Sequence, residues 1–532
     1  MSRQSGSTAS VAVAVTVTAT ATAAKSMTDI VDGVPHVNFR DAGNRSRDHY
    51  KSSMPPWRFR IRQLLLPLVR WETPQLAWIQ SSLRCKFLDD YFAFTANLGT
   101  HTFFVIMLPI PFWFGYCQVG RNLVYVLAAG VYVTGVTKDF FCLPRPLSPP
   151  LHRITMSGSA ALEYGFPSTH SCNAVSAALI LYYTAVNNAD GMSSWTLLAI
   201  KFGLWVYVLS IILGRIYCGM HGFLDVVAGT VLGAVLFLAR WWYGSGLDKV
   251  IAQPSWIVPV TITPIILLLV RVHAEPVDPC PCFEDSVAFA GVVLGVDLAL
   301  WWYCSSSSAV ACAAYDFATV GVIRSLLRVV IGVLAIFVWR ATLKRTLHAI
   351  LPPIYRFIEQ IGLSMPREYF LKASEYKDVP SSIPDSTLVN AAEIPSLIQT
   401  ITARKRADSV GPQSTADVYE TIAYRQERQR RKSLDLQRSP KSTANHKQET
   451  NETYNDKKLD LNKLQQQQQQ QDRDEDEDQE DGLTEEQLFL QFKPPRVQYD
   501  VEVITKLIVY AGIGFIGAGF CGPIFDVFGL GN

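Results

Sequence analysis

Residues 202–239 read FGLWVYVLSIILGRIYCGMHGFLDVVAGTVLGAVLFLA, two apolar runs joined by a short polar segment. Each run approaches the length of about 20 residues that an α-helix needs to cross the hydrocarbon core of a bilayer. The polar segment carries Arg215 and His221, and Asp225 lies one turn into the second run. Because an ionisable residue inside a membrane helix is costly, Asp225 is a candidate for function rather than packing.

The same apolar pattern recurs along much of the chain. Apolar runs dominate from about residue 92 to residue 343, and they vanish from about residue 366 to residue 500. We predict an all-α polytopic membrane protein with about eight or nine transmembrane helices. The candidate spans are 92–113, 122–141, 170–187, 194–213, 222–242, 254–271, 286–303, 323–342 and 504–528. The alternative of a soluble all-α protein is disfavoured because eight such runs follow one another with short loops.

The remaining segments differ sharply in composition. Residues 57–91 interleave Arg and Lys with Leu, Trp and Ile, which favours an amphipathic segment lying on a membrane surface. The polar region 346–500 contains a Gln tract at 465–471 and an acidic run, so it cannot bury enough apolar surface to fold. The predicted organisation is a disordered tail (1–56), the surface segment (57–91), a transmembrane domain (92–345), a mostly disordered insertion (346–500) and a C-terminal transmembrane helix (501–532).

Several other features of the sequence give little information about function. The formal net charge of +2 gives no indication of a nucleic-acid partner. Cys280-Pro-Cys282 has no second Cys or His pair at zinc-finger spacing, so we interpret it as structural or incidental and predict no metal site. Asn44 and Asn451 fit the glycosylation acceptor pattern, and Ser433 ends a basic run typical of kinase sites.

Three polar clusters lie at the ends of predicted spans, and alternate crossing brings all three to the same membrane face. Together they supply three permanent cations, two imidazoles and one carboxylate, which suits binding a phosphate and breaking its ester bond without a metal. The clusters are Lys138-x6-Arg145-Pro146 in TKDFFCLPRP, Pro167-Ser168-Thr169-His170 in GFPSTHS, and Arg215-x5-His221-x3-Asp225 in GRIYCGMHGFLD.

The first two clusters contain features of an anion site. Lys138 and Arg145 are seven residues apart, about two helical turns, so we expect them to project from one face of a helix. Pro144 and Pro146 are expected to stop that helix near Arg145. Ser168 is placed to cap the next helix, whose first-turn N–H groups favour an anion. Taken alone, each cation also fits a side chain that snorkels to the lipid headgroups.

The third cluster combines a histidine with a carboxylate. His221 and Asp225 are four residues apart, so on one helix their side chains are neighbours. A carboxylate that accepts from one imidazole nitrogen fixes the tautomer and leaves the other nitrogen as a nucleophile. His170 lies in the first turn of the third span, with no carboxylate in register.

In this order, the three clusters resemble the signature of the type 2 phosphatidic acid phosphatase superfamily. The flanking sequences TKDFFCLPRPLSPP, FPSTHS and GRIYCGMHGFLDVVAG are similar to those of the fungal sphingoid-base-phosphate phosphatases. The resemblance covers roughly residues 75–345 and RVQYDVEVITKLIVYAGIGF near the C-terminus. It implies a six-helix phosphatase core with extra transmembrane helices and no cofactor.

The resemblance also implies a role for each matching residue. His221 is the expected nucleophile, Asp225 stabilises it, and His170 donates a proton to the leaving alcohol. Two positions depart from the general pattern: Thr169 stands where Gly is usual, and Gly214 stands where Ser is frequent. The residues expected to bind the substrate phosphate are Lys138, Arg145, Ser168, Thr169 and Arg215.

The activity implied by the resemblance is metal-independent hydrolysis of sphingoid long-chain base 1-phosphates in the endoplasmic reticulum membrane, through a phosphohistidine. The substrate is then a membrane lipid. Two alternatives stay open from the residues alone. One is a sphingolipid phosphotransferase of the inositol phosphorylceramide synthase type, for which Lys-x6-Arg-Pro is not the pattern. The other is a transporter that binds an anion without chemistry, which does not require a His–Asp pair opposite a second His.

Overall fold

The computed structural model describes residues 30–31, 34–35, 42–96, 98, 101–148, 150–154, 163–306, 315, 317–363, 367–379 and 498–530. The chain divides into two units, Met1–Asn44 with Gly411–Pro494, and Arg45–Val410 with Pro495–Asn532. In the first unit, strand β1 (Ile30–Val31) pairs antiparallel with β2 (Val34–Pro35). Among the described residues, the helices and all of the predicted site residues lie in the second unit.

The second unit is built almost entirely of helices across the residues described. Its one strand pair there is β3 (Phe370–Leu371), parallel to β4 (Gln498–Tyr499). The α-helices are Arg47–Ser53 (α1), Pro56–Leu83 (α2), Lys86–Ala96 (α3), His101–Met107 (α4), Pro109–Trp113 (α5), Cys117–Phe141 (α6), Thr169–Asn187 (α7), Ser194–Tyr217 (α8), Phe223–Ile251 (α9), Ile257–Val272 (α10), Cys282–Ser305 (α11), Phe317–Gln360 (α12), Val501–Phe515 (α13) and Cys521–Val527 (α14).

Six helical segments in the described part of the chain are long and apolar enough to cross a membrane. The prediction of an all-α polytopic membrane protein is therefore confirmed. The segments are α6, α8, α9, α11, Val320–Gln360 within α12, and Val501–Val527, which joins α13 to α14 through a π-helical turn at Ile516–Phe520.

Three of the nine predicted spans have a different form. The run 92–113 is divided among α3, α4 and α5, and Pro109 begins the last of these because proline has no N–H to continue the preceding helix. The run 254–271 forms α10, which has only 16 residues. The run 170–187 forms the 19-residue α7, which is not among the six. The predicted total of eight or nine transmembrane helices is reached only when these shorter or more polar helices are counted.

Helices α7 and α9 approach each other through two glycines. A Cβ atom on Gly229 would lie 2.4 Å from the carbonyl oxygen of Ser168, and one on Gly233 would lie 2.4 Å from that of Cys172. The Gly-x3-Gly spacing lets membrane helices pack backbone against backbone. This contact holds the starts of both helices together, where the Ser168 N–H donates to the Asp225 carbonyl oxygen at 2.9 Å.

Part of the segment that was predicted to be a disordered tail is folded. Residues 47–53 form α1, capped by the Ser46 hydroxyl, which accepts from the His49 N–H. Tyr50 is buried, and its hydroxyl donates to Asp278 Oδ2 at 2.6 Å. The Arg62 guanidinium lies over the same ring, 3.6 Å from its centroid. The folded region thus begins before residue 57, because Tyr50 has a distant buried partner that local composition does not reveal.

Helix α2, in the predicted membrane-surface segment, buries several polar side chains and exposes its tryptophans. Glu72 and Gln80 are buried, whereas Trp57, Trp71 and Trp78 are 57%, 66% and 71% exposed. A helix face rich in exposed Trp suits the interface between a membrane and water. The position of this segment on a membrane surface stays a prediction.

The predicted insertion 346–500 has folded ends. Helix α12 continues to Gln360, and strands β3 and β4 join the two ends of the insertion. The Asp500 carboxylate accepts from the Ala373 N–H at 2.9 Å and from the Tyr376 hydroxyl at 2.6 Å. Residues 380–497, which include the Gln tract, Ser433 and Asn451, lie outside the described residues.

Candidate active site

Four helix ends meet at one end of the helical unit. Helices α6 and α8 end there, and α7 and α9 begin there. The loop between α8 and α9 folds back on α8, because the N–H groups of Met220 and His221 donate to the Arg215 carbonyl oxygen at 3.2 and 3.3 Å. The three sequence clusters are brought together as expected from alternate crossing.

Lys138 and Arg145 lie on either side of one carboxylate. Lys138 Nζ is 2.7 Å from Glu163 Oε2, and Arg145 Nη2 is 3.6 Å from the same oxygen. The expectation that both cations project from one helix face is wrong in its geometry, because α6 ends at Phe141 and Arg145 lies beyond it. Pro144 and the left-handed backbone of Cys142 follow that helix end directly.

His221 is held between Arg145 and Asp225. Its Nδ1 lies 3.5 Å from Asp225 Oδ2, and its Nε2 lies 3.2 Å from Arg145 Nη1. Arg145 Nη1 also donates to the Met220 carbonyl oxygen at 2.6 Å, which fixes the guanidinium. Arginine is always a donor, so Nε2 carries the lone pair and Nδ1, the nitrogen nearer the Asp225 carboxylate, carries the proton.

The surroundings favour the neutral imidazole of His221. Burial and the positive charges of Arg145 and Lys138 hold the pKa of His221 well below its usual value. Arg215 and His170 act in the same direction. A neutral histidine keeps the lone pair that a nucleophile needs, so this environment suits attack by Nε2.

Asp225 is fixed by the start of its own helix. Its Oδ2 accepts from the Gly222 N–H at 3.0 Å, so the carboxylate occupies the first turn of α9. Glu72 of α2 supports the same turn, because its Oε1 accepts from the Leu224 N–H at 2.9 Å. Burial raises the pKa of the Glu72 carboxyl. Contacts from α9 and α2 therefore hold Asp225, the carboxylate partner of His221, in place.

The second cluster lies at the start of α7. Ser168 is buried and caps the helix, with its hydroxyl oxygen accepting from the Ser171 N–H at 3.3 Å, which confirms the predicted cap. The Thr169 hydroxyl lies 2.9 Å from the Thr134 hydroxyl, so its side chain contacts α6. His170 is half-buried and close enough to affect the His221 titration.

Arg215 is the third predicted cation. It is buried near the end of α8, and its Nε has no hydrogen-bond partner among the residues that the structure describes. Its charge interacts with those of Arg145 and Glu163. A buried guanidinium whose charge interacts with that of Arg145 is suited to binding phosphate oxygens.

Sequence reasoning missed three residues that shape this site: Glu72, Gln80 and Glu163. Gln80 holds the loop that follows Arg145 by exchanging two 2.8 Å hydrogen bonds with the His152 backbone. Its amide also donates to the Tyr217 carbonyl oxygen at the end of α8. These residues lie in segments without a catalytic motif, so their spacing gave no signal.

A separate group of side chains has the ligand types of a metal site. The ligand atoms of Asp139, Cys280 and Cys282 lie within 4.8 Å of one another, and all three residues are buried. His273 is near, but both of its ring nitrogens have other partners, the Ala274 carbonyl and the Ser286 hydroxyl. Two thiols and one carboxylate are a possible partial set for zinc, which takes four ligands in structural sites.

Comparisons with known proteins agree with this site. A model of the PAP2 superfamily matches residues 120–247, which span the three clusters. A dihydrosphingosine 1-phosphate phosphatase of Schizosaccharomyces pombe is 40% identical over 324 residues, covering 61% of this chain and 76% of that protein. The chain belongs to the PAP2 superfamily.

Further PAP2 relatives have related names. A dihydrosphingosine 1-phosphate phosphatase of Saccharomyces cerevisiae is 37% identical over 325 residues, covering 60% of this chain and 78% of that protein. Lipid phosphate phosphatase delta of Arabidopsis thaliana is 30% identical over 256 residues, 46% of this chain and 60% of that protein. No solved structure matches the chain. The resemblance to the sphingoid-base-phosphate branch of the PAP2 superfamily is thus confirmed.

Proposed function

We propose that the protein hydrolyses sphingoid long-chain base 1-phosphates, such as dihydrosphingosine and phytosphingosine 1-phosphate, to the free base and inorganic phosphate. The names of its relatives support this substrate class. The observation that carries the proposal is the arrangement of His221, with Nδ1 facing Asp225 and Nε2 facing Arg145. This geometry fits nucleophilic attack on a bound phosphate.

In the first step, His221 Nε2 attacks phosphorus in line with the ester oxygen. A P–N bond forms while the P–O bond to the lipid breaks, and His170 donates a proton to the departing alkoxide. A general acid of this kind contributes roughly 10²–10⁴-fold to the rate. Asp225 stabilises the positive charge that develops on the imidazole, as an oriented buried carboxylate does.

In the second step, water cleaves the phosphohistidine. His170, now neutral, removes a proton from the attacking water, and His221 leaves as the neutral imidazole. Lys138, Arg145 and Arg215 offset the charge on the equatorial phosphate oxygens in both steps. Ser168 and the Thr169 backbone complete the predicted cradle at the start of α7, where N–H groups favour an anion.

The test is phosphate release by the full-length protein in proteoliposomes. The panel is dihydrosphingosine, phytosphingosine and sphingosine 1-phosphates with phosphatidate and ceramide 1-phosphate, and His221→Ala is the control. Preferred release of inorganic phosphate from the sphingoid phosphates supports the proposal. The competing phosphotransferase activity predicts that phosphorus appears on an added lipid acceptor, and an anion transporter predicts flux of phosphate without cleavage.

We further propose that the protein resides in the endoplasmic reticulum membrane with its active site facing the lumen. The apolar helices support a multi-pass membrane protein, and the compartment follows from the family resemblance. Glycosylation mapping at Asn44 and Asn451 tests the orientation, since only a lumenal acceptor is modified. Unmodified acceptors together with protease accessibility from the cytosol would contradict it.

A further inference from the structure

Glu163 occupies the place where the phosphate cations converge. Its Oε2 pairs with Lys138 Nζ at 2.7 Å and lies 3.6 Å from Arg145 Nη2. The Glu163 carbonyl oxygen also accepts from Arg145 Nε at 3.0 Å, so its backbone is held against the same guanidinium. One carboxylate thus occupies the contacts that a phosphate would use on two of the three cations.

This ion pair lies at the accessible edge of the site. The side chains of Lys138 and Arg145 are each 4% exposed, whereas that of Glu163 is 21% exposed. A phosphate that reaches the two cations must therefore displace the carboxylate. A phosphate monoester brings about 1.5 to 2 negative charges and three strong acceptor oxygens, against one charge on the carboxylate, so the exchange favours phosphate.

Displacement leaves the Glu163 carboxylate beside a bound dianion, which is unfavourable unless the substrate brings a cation of its own. A sphingoid base 1-phosphate does so. Its ammonium group is on C2 and its phosphate ester is on C1, so the nitrogen lies roughly 3–4 Å from the ester oxygen with bond lengths near 1.5 Å. The substrate ammonium therefore lies within reach of a carboxylate that stays beside the bound phosphate.

We propose that Glu163 forms an ammonium subsite that selects phosphate esters carrying a neighbouring primary amine. Substrate binding exchanges partners: the phosphate takes Lys138 and Arg145, and the substrate ammonium takes Glu163. Both the cations and the carboxylate stay paired after the exchange. An N-acylated or amine-free lipid phosphate leaves the carboxylate facing the phosphate, so it binds less well. The inference rests on the proposed function, because it assigns the substrate class of the same site.

The test compares two substrates that differ only at C2. One is dihydrosphingosine 1-phosphate, and the other is the same long-chain phosphate with a hydroxyl in place of the amine. The full-length protein, Glu163→Gln and Glu163→Asp are assayed in proteoliposomes for kcat/KM on both. Glu275→Gln, which removes an exposed carboxylate elsewhere, is the matched control.

We expect Glu163→Gln to lower kcat/KM for the amine substrate by about 10- to 100-fold and to leave or raise that for the hydroxyl analogue, since the substrate ammonium then lacks its carboxylate partner. Glu163→Asp, which keeps the charge, should retain part of the preference. Glu275→Gln should match the wild type. Phosphoenzyme formation from a soluble aryl phosphate, which lacks an amine, shows that each variant is folded.

Three results overturn the inference. An equal fall in kcat/KM for both substrates means that Glu163 only supports the structure of the site. An equal rise in kcat/KM means that Glu163 only blocks phosphate binding. An unchanged preference means that it does not contact the amine. Failure of the proposed function is distinct, because it appears in the wild-type protein as absent release of phosphate from dihydrosphingosine 1-phosphate.

Discussion

Asp225→Asn tests whether the His221–Asp225 pair acts through charge. Asparagine has nearly the same shape, and its side-chain oxygen can still accept from the Gly222 N–H, so the start of α9 should be kept. What the variant loses is the negative charge 3.5 Å from His221 Nδ1. That charge matters when Nε2 bonds to phosphorus, because the imidazole then becomes positive.

The size of the effect follows from this distance. Two unit charges about 4 Å apart interact by about 4 kcal/mol at an effective dielectric constant of about 20. Since about 1.4 kcal/mol corresponds to tenfold in rate, the full interaction would be worth about 10³-fold. The asparagine oxygen can still accept from His221 Nδ1, so part of the interaction is kept and we expect phosphoenzyme formation to slow by about 10²- to 10³-fold.

The assay is rapid-quench measurement of acid-labile phosphohistidine from dihydrosphingosine 1-phosphate. Asp297→Asn is the control, because Asp297 is also a buried carboxylate in a spanning helix and pairs with the Tyr125 hydroxyl, away from the phosphate site. It should behave like the wild type within about threefold, as for a change outside the site. An Asp225→Asn variant as fast as this control would refute the charge argument and leave Asp225 a purely structural role.

Three further results are expected. His221→Ala should abolish phosphoenzyme formation with every substrate, whereas His170→Ala should retain it with an activated aryl phosphate; the reverse pattern in rapid-quench assays would exchange the two roles. Because the pKa of His221 is lowered, its neutral, active form persists below its usual pKa, so phosphoenzyme formation should not fall between pH 8 and about 6.5; a fall with its midpoint within or above that range contradicts this. Activity should survive EDTA, and loss that only Mg²⁺ restores would show that catalysis needs a divalent metal.

The fold was predictable to the extent that hydropathy determines it. Long apolar runs gave the spanning helices, because a bilayer requires length and composition rather than precise packing. The run 92–113 was predicted to be a single span because it is apolar throughout. Its prolines were given too little weight, and Pro109 in fact begins a new helix. Tyr50 and α1 were missed because the buried partner, Asp278, is 228 residues away in the sequence.

The site was predictable where its residues lie at helix ends. Alternate crossing places the ends of α6 and α8 with the starts of α7 and α9, so topology alone brought the three clusters together. Glu163, Glu72 and Gln80 were not found, because their effect depends on which backbone or cation they meet after packing. Arg145 shows the same limit: its contact with His221 depends on a loop conformation that helical spacing does not give.

In the proposed mechanism, the contacts of Arg145 connect phosphate binding to the position of the nucleophile. Arg145 lies against the lone pair of His221 Nε2 at 3.2 Å, and Lys138 is paired with Glu163 at 2.7 Å. In that mechanism, a phosphate bound by both cations competes with Nε2 for the Arg145 guanidinium and places phosphorus beside that nitrogen. Hydrogen-bonded Nε2 is a weaker nucleophile than free Nε2, so the imidazole becomes fully reactive only when substrate is bound. Arg145 therefore has two roles in the proposed mechanism, since it lies within reach of the phosphate and of Nε2.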